Sequence, residues 1–390
     1  MNQIERLISD LCPNGVPVWA LGEAGKVVSG LRGKSKSDFT EGNAPYVSYV
    51  EIFNNPGIDF IPEKRVRVES SENQSAIQLG DVLITGSSET LNECGMTAVV
   101  TWEPTVPVYV NSFCFIWRPN KDIELDVQYA KHLFRGRDFR DQVIQTANGV
   151  TRQNISKPKF LAIEIPLPPI EVQREIASIL NTFTDLETEL KAEMTARKSQ
   201  FLHYRTQILS LHDTEDVRWK TLGDVVRIRN GSDHKHLADG PYPLYGTGGV
   251  MRHVERYSYN KPSVLIPRKG SLKNLFFMNE PFWTVDTLFY TEINEKEVDP
   301  KFLFHWLSTQ ELEKLDVAGG VPSLTQTVLN RVAVPLPDLD VQRKIAEVLD
   351  TFASLLEDEV WGLPAEITAR HQQYEYYRNK LLKFNELEVA

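Results

Sequence analysis

The sequence predicts an internally duplicated protein of mixed α and β class (α+β). Two domains of short strands and helices are separated by two long helices that pair antiparallel as a coiled coil. Three observations carry this reading. Residues 165–183 read IPLPPIEVQREIASILNTF and residues 334–352 read VPLPDLDVQRKIAEVLDTF, with 11 identities in 19 positions. The offset of 169 residues far exceeds the roughly 20–50 residue period of a solenoid, so the repeated unit is a whole domain plus a helix, an internal pseudo-twofold repeat. Behind each phrase apolar residues recur at heptad spacing, and ahead of each, runs such as VLIT, SVLIP and NLFFM alternate with Gly, Pro, Asn and Ser clusters, the pattern of short strands and loops.

The elements follow in order. Residues 1–168 form the first domain, 169–212 the first long helix, 213–337 the second domain and 338–390 the second long helix, which pairs with the first. Each domain opens on a Trp and a Leu-Gly-acid triplet, Trp19 with Leu21-Gly22-Glu23 and Trp219 with Leu222-Gly223-Asp224. Pro45-Tyr46 then matches Pro241-Tyr242, Val82-Leu83-Ile84 matches Val264-Leu265-Ile266, and Gly149-Val150 matches Gly320-Val321. The offsets drift, as expected when one scaffold carries different loops. One amphipathic helix interrupts each domain, over residues 127–139 and 300–315.

The long helices begin after Pro168-Pro169 and Pro337, which suit a helix entrance. Forty residues at 1.5 Å each make about 60 Å of helix. Antiparallel pairing sends the two domains to opposite ends of a rod. The seam residues expected at the helix pair and at any partner are Gln173, Ile176, Leu180, Phe183 and Leu190 in the first helix. Gln342, Ile345, Leu349, Phe352, Ile367, Tyr374 and Leu381 are their counterparts in the second. Gln173-Arg174 and Gln342-Arg343 read either as a cap region or as polar groups that set the helix entry angle. The Thr-Ala-Arg triplets at 195–197 and 368–370 are offset by 173, so four residues enter near Trp361-Gly362-Leu363-Pro364. Such a stutter with a proline predicts a kink or brief break.

Composition excludes several classes. At 390 residues and 41% hydrophobic the chain has material for two ordinary cores. No apolar run is long enough for a membrane span, and MNQIERLISD lacks the apolar core of a signal peptide, so the expected location is the cytoplasm. Cys12, Cys94 and Cys114 form no CxxC pair, which points to buried free thiols. The net charge of −10 hides a local excess: residues 217–275 hold eleven Lys/Arg against four acids. Nucleic acid responds to that local field rather than to the sum.

No catalytic constellation appears. Gly246-Thr247-Gly248-Gly249 lacks the phosphate-loop spacing, HExxH and GxSxG are absent, and no carboxylates pair in an apolar setting. His234 and His236 have no third ligand nearby, so they read as a loop and no metal is expected. Groups suited to phosphates and base edges cluster instead. In the second domain these are Arg229, Asn230, His234, Lys235, His236, Tyr245, Thr247, Arg252, Arg268, Lys269, Ser271 and Lys273. In the first they are Arg32, Lys34, Lys36, Ser48, Tyr49, Ser87, Ser88 and Arg152. Singly, each is equally a solvated surface residue.

The pattern PLPxxxxQRxIAxxL, twice per chain at domain spacing, with CPNGV at 12–16, GLPAEI at 362–367 and YEYYRNKLL at 374–382, resembles the specificity subunit of type I restriction–modification enzymes. The resemblance covers nearly the whole chain. It implies a non-catalytic DNA reader whose two target-recognition domains each bind half of a bipartite asymmetric sequence. It also implies that the helices set the spacer and dock two modification subunits, and that restriction subunits complete the complex. S-adenosylmethionine, ATP and Mg2+ are then held by those partners and no cofactor by this chain. Half-sites on one face of the duplex lie about 34–36 Å apart, a distance that a 60 Å helix pair spans. Three other readings stay open: a self-sufficient nuclease or methyltransferase, a coiled-coil scaffold with two protein-binding domains, and a stand-alone double-headed DNA-binding protein.

Overall fold

A computed structural model of the chain describes residues 3–211, 217–315, 323–357, 362–385 and 387. It divides into two compact units, Met1–Glu189 with Ile367–Ala390, and Leu190–Glu366. Gly320-Val321 and Trp361 fall outside the described residues.

The first unit is built on a five-stranded sheet in the order Gly25–Ser29, Cys114–Pro119, Val82–Thr85, Thr97–Val100, Gly57–Ile58. Its pairings are antiparallel except the last, which is parallel. VLI at 82–84 and CFIW at 114–117 are apolar throughout because both faces are covered. Val82, Ile84, Phe115 and Trp117 enter one core with the helices Val127–Leu133 and Arg137–Thr146. Leu83, Cys114 and Ile116 enter a second core with Val47, Ile52 and Val110. The second unit has a four-stranded antiparallel sheet, Val226–Asn230, Leu288–Ile293, Ser263–Pro267, Phe276–Met278. Val264, Ile266 and Phe289 face a core with Phe302, Leu303 and Trp306.

The repeat extends to the smaller sheets. Ala44–Val47 pairs in parallel with Tyr109–Val110, and Tyr242–Gly246 in parallel with Trp283–Thr284. Val18–Ala20 closes on Glu164–Pro166 just as Arg218–Thr221 closes on Ala333–Leu336. The expected single helices are each interrupted. The first stops at Leu133 and restarts at Arg137 with Gly136 as its N-cap. The second stops at Leu307 and resumes as a 3-10 turn at Leu312–Leu315, after Glu311 adopts a positive φ of 39°. All three cysteines are buried free thiols, and burial pushes Cys114 up to about 12.

The first long helix is Ile170–Ile208, 39 residues. The second is described as Leu339–Glu357 and Leu363–Leu381, the latter with Pro364 in its first turn; of the expected break near 361–364, residues 358–361 lie outside the described residues and Gly362 is a bend. Within the first unit the helices pair antiparallel. Ile176 and Leu180, near the start of Ile170–Ile208, share a core with Tyr374 and Leu381, near the end of Leu363–Leu381, and Phe183 stacks on Tyr377 at 5.2 Å. In the second unit Phe201 and Ile208, late in the first long helix, share a core with Ile345 and Leu349, early in Leu339–Glu357. Leu190 is buried and Ile367 half-buried.

Two seam expectations are refined. Phe352 is 45% exposed, so the described residues of its unit cover it only in part, and of the helix-pair and partner roles expected for it the partner role is the one it is free to fill. Gln173 and Gln342 are buried inside the joints, not on a face open to partners. The Gln173 side chain accepts from the Asp126 amide at 2.9 Å and donates to the carbonyls of Glu124 and Pro168 at 2.9 and 2.8 Å. Gln342 repeats this with Asp299, Glu297 and Pro337 at 2.8, 3.2 and 2.8 Å. Asp126 and Asp299 are themselves the N-caps of Val127–Leu133 and Pro300–Leu307. One amide therefore ties the long helix to the capped end of a domain helix in each unit, which sets the entry angle.

Candidate nucleic-acid interface

The duplicated frame gives the interface its coordinates. In the first unit the strand Val82–Thr85 runs on into Ser87–Ser88, where the Gly86 amide donates to the Phe113 carbonyl at 2.9 Å and Ser88 pairs with Gln153. In the second unit Ser263–Pro267 runs on in the same way. The Arg268 amide donates to the Thr287 carbonyl at 2.8 Å, and Lys269 bridges to Ser323. The two sites occupy the same place in the fold, and the residues at the strand exits, Gly86-Ser87-Ser88 and Arg268-Lys269-Gly270, share no identity.

Both sites hold cations on aromatic rings. In the first, the Arg152 guanidinium lies 5.3 Å from the Phe113 ring centroid and the Lys157 ammonium 5.6 Å from Phe115. In the second, the Arg268 guanidinium lies 6.0 Å from Phe289, with exposed Lys269 beside it. Phe115 and Phe289 sit at equivalent register, opposite Ile84 and Ile266. Attraction between a cation and a ring face orders the side chain without neutralising it. None of the four cations has a carboxylate partner among the described residues, so each keeps its full charge for an anion.

Around this site in the second unit the loops converge. The Asn274 amide donates to the Thr247 carbonyl at 2.9 Å, joining residues 268–274 to the tip of the hairpin Tyr242–Gly246 and Gly249–Val254. Arg252 donates to the carbonyls of His234 and Leu237 at 2.9 and 3.0 Å and pairs with Asp239 at 2.9 Å, which fixes the loop carrying exposed Lys235 and His236. His236 meets Trp283 edge-on at 6.1 Å. Ser271 and Lys273 are exposed, Lys273 beside Glu313 at 3.4 Å. Tyr245 is half-buried against Phe276. Arg229 is bound to Glu292 at 2.9 Å, and Asn230 accepts from Gln326 at 3.1 Å.

The structure corrects several expected contacts. Ser87 and Ser88 are buried strand residues. Ser48 is buried as the N-cap of Tyr49–Asn54, held further by the Lys64 ammonium at 3.1 Å, and Tyr49 stacks on Phe53. Lys34 is spent on Glu72, whose carboxyl that bond holds down at about 2. Arg252 and Arg229 carry acid partners, so they shape loops more than they offer charge. His234 is half-buried, with Nδ1 enclosed and without a hydrogen-bond partner. Arg32 and Lys36 stay exposed, Arg32 leaning on the Asn73 carbonyl at 3.2 Å. Sequence reasoning missed Phe113, Lys157, Gln326 and the exposed hairpin residues Val250 and Met251. Phe113 lies inside the apolar run VYVNSFCFIW, where nothing marks it as 59% exposed. Among the described residues no group of His, Cys, Asp or Glu is arranged to hold a metal ion.

The chain matches the type I restriction modification DNA specificity domain twice, over residues 13–196 and 214–369. It is 30% identical over 272 residues to the specificity subunit of the Escherichia coli enzymes EcoR124I and EcoR124II, covering 61% of this chain and 67% of that one. It is also 30% identical over 266 residues to a putative type I specificity subunit of Haemophilus influenzae, covering 61% and 68%. Its fold matches the crystal structure of the S subunit from M. genitalium with a TM-score of 0.53 at 17% identity, over 94% of this chain and 96% of that one. A second structure, from work on assembly and conformational transition of the type I system, matches with a TM-score of 0.66 at 19% identity, over 95% and 98%. The chain belongs to the type I restriction–modification specificity subunits, with two tandem DNA-recognition domains and no catalytic role of its own.

Proposed function

We propose that each recognition domain, 1–168 and 213–337, binds one half of a bipartite asymmetric DNA target through the face where cations rest on aromatic rings. The single observation that carries this is the repetition of unneutralised charge at one place in a duplicated frame: an equivalent ring is kept, Phe115 and Phe289, while the cations differ, Arg152 and Lys157 in one copy and Arg268 and Lys269 in the other. A kept place with changed cations suits two domains that read different half-sites. In this reading the helical regions 169–212 and 338–390 set the unspecified spacer and dock two modification subunits, and restriction subunits complete the complex. S-adenosylmethionine, ATP and Mg2+ serve those partners. No helix among the described residues is long and apolar enough to cross a membrane; a cytoplasmic location is part of this proposal, because the DNA to be read lies there.

The helix Leu339–Glu357 supports the docking part. Val341, Val348 and Leu355 recur every seven residues and, with Phe352, stand 44–56% exposed along one face, an apolar stripe of the kind that protein partners cover. The experiment is adenine-methylation mapping of DNA from cells that express this chain with its modification subunit, against cells with the modification subunit alone. A bipartite motif that appears only with this chain is the expected result. Co-purification of the two proteins without any motif would replace DNA reading by a scaffold role.

A further inference from the structure

The geometry points to the hairpin tip of residues 149–152 as a major-groove reading element of the first domain, with Arg152 as its guanine-reading group. This rests on the DNA-reading function proposed above and names the base that one part of the site takes.

The tip joins the strands Ala147–Asn148 and Gln153–Ile155. Gly149 adopts a φ of 140°, and a Cβ there would lie 1.9 Å from the Arg152 carbonyl, so the turn is as tight as the chain allows and only glycine fits it. Val150 is 100% exposed, covered by none of the described residues of its unit. Asn148, Thr151 and Asn154 are exposed around it. A tip this narrow fits a major groove about 12 Å wide, where a free methyl-bearing side chain meets thymine methyl groups and amides meet adenine.

Arg152 is the group with the most defined chemistry. Its side chain makes no hydrogen bond or ion pair among the described residues, yet it does not swing free, because it lies across Phe113. A phosphate takes a point charge from any direction. A guanine edge takes two parallel N–H groups into O6 and N7, a demand on orientation. A guanidinium held over a ring, 5.3 Å from its centroid, has lost rotamer freedom before it binds, the preorganisation that the second task rewards. The Phe113 ring is itself anchored by its backbone, its amide bound to the Asn111 side chain at 2.9 Å and its carbonyl to Gly86.

The test is methylation mapping with the full chain and its modification subunit, comparing the parent with Arg152→Gln and Phe113→Leu. Arg152→Gln is expected to relax or shift a G·C requirement at one position of one half-site, with the other half and the spacer unchanged. Discrimination at that position should fall by about 5- to 150-fold, the worth of one bidentate pair. Phe113→Leu should give the same relaxation in weaker form. A uniform loss of methylation with the motif intact would make Arg152 a phosphate contact and overturn the proposal, as would an unchanged motif at full strength. An unchanged melting temperature for both variants excludes misfolding as the cause. If the parent itself yields no motif, the DNA-reading function fails, an outcome distinct from failure of the arginine assignment.

Discussion

His132 Nδ1 lies 2.9 Å from the Tyr374 hydroxyl, a contact between residues 242 positions apart. The other ring nitrogen, Nε2, lies 2.8 Å from Asn181 Oδ1, an acceptor, so the proton sits on Nε2 and the bare Nδ1 accepts from the tyrosine. One buried imidazole thus joins a helix of the first domain, the first long helix and the C-terminal helix. Tyr374→Phe removes the only donor to that nitrogen among the described residues. The expected cost is about 1–3 kcal/mol, the penalty for an unsatisfied buried acceptor, read as a lower urea midpoint at unchanged slope.

In the second unit His305 takes the place of His132, and its Nε2 meets Asp350 at 2.8 Å. Asp350 stands 169 residues after Asn181 and Phe201 stands 173 before Tyr374, so a ring without a hydroxyl occupies the tyrosine's position. His305 Nδ1 is buried without a hydrogen-bond partner. Phe201→Tyr supplies one and should stabilise the chain by about 0.5–1.5 kcal/mol. No gain in the urea midpoint would show that the two joints orient their rings differently.

Burial pushes His132 down to about 4 from an ordinary 6.5 and lowers His305 as well, against the pull of Asp350. A lowered histidine is neutral in the fold and binds its proton more readily when unfolded. Stability is therefore fully present above pH 6.5 and falls as the pH drops toward 4, by about 3 kcal/mol for His132. Unfolding curves across that window check the sign, and the fall should shrink in His132→Asn. Stability that rises on acidification would contradict a neutral, buried imidazole.

Gln173→Leu keeps the volume and removes three hydrogen bonds inside the joint. It should cost on the order of 3 kcal/mol, since it strands the Asp126 amide. Gln342→Leu should do the same in the second unit. Both are expected to shift the thermal midpoint. A variant that kept parental stability and lost only its partners would place this amide at a subunit interface instead.

Replacing Arg268 and Lys269 by Ala should weaken recognition of one half-site and leave assembly with the modification subunit intact. If both side chains meet phosphates, the slope of log affinity against log salt becomes shallower by roughly 2. Loss of co-purification instead would put this loop between subunits.

Much of the architecture was legible because repetition and periodicity are properties of order along the chain. The doubled phrase marks the two helix entrances, the heptads mark Ile170–Ile208 and its partner, and the stutter with Pro364 marks where the second helix restarts. The interruptions at Gly136 and Glu311 were not legible, although Arg135-Gly136-Arg137-Asp138 and Ser308-Thr309-Gln310-Glu311 carry no apolar residue, because helix spacing alone does not separate such a polar gap from a solvent-facing turn. Neither was the burial of Ser48, Ser87 and Ser88, whose hydroxyls look like surface groups until strand pairing and a helix cap enclose them.

The sequence by itself determined that there are two copies of one domain, that each ends in a long amphipathic helix, and that basic residues crowd the second copy. Only the tertiary structure decided which cations remain available. Lys34, Arg229 and Arg252 meet carboxylates brought to them by the fold, while Arg152, Lys157, Arg268 and Lys269 meet aromatic rings or solvent. A charge is neutralised by what lies within a few ångströms of it, and in these domains those neighbours come from distant parts of the chain.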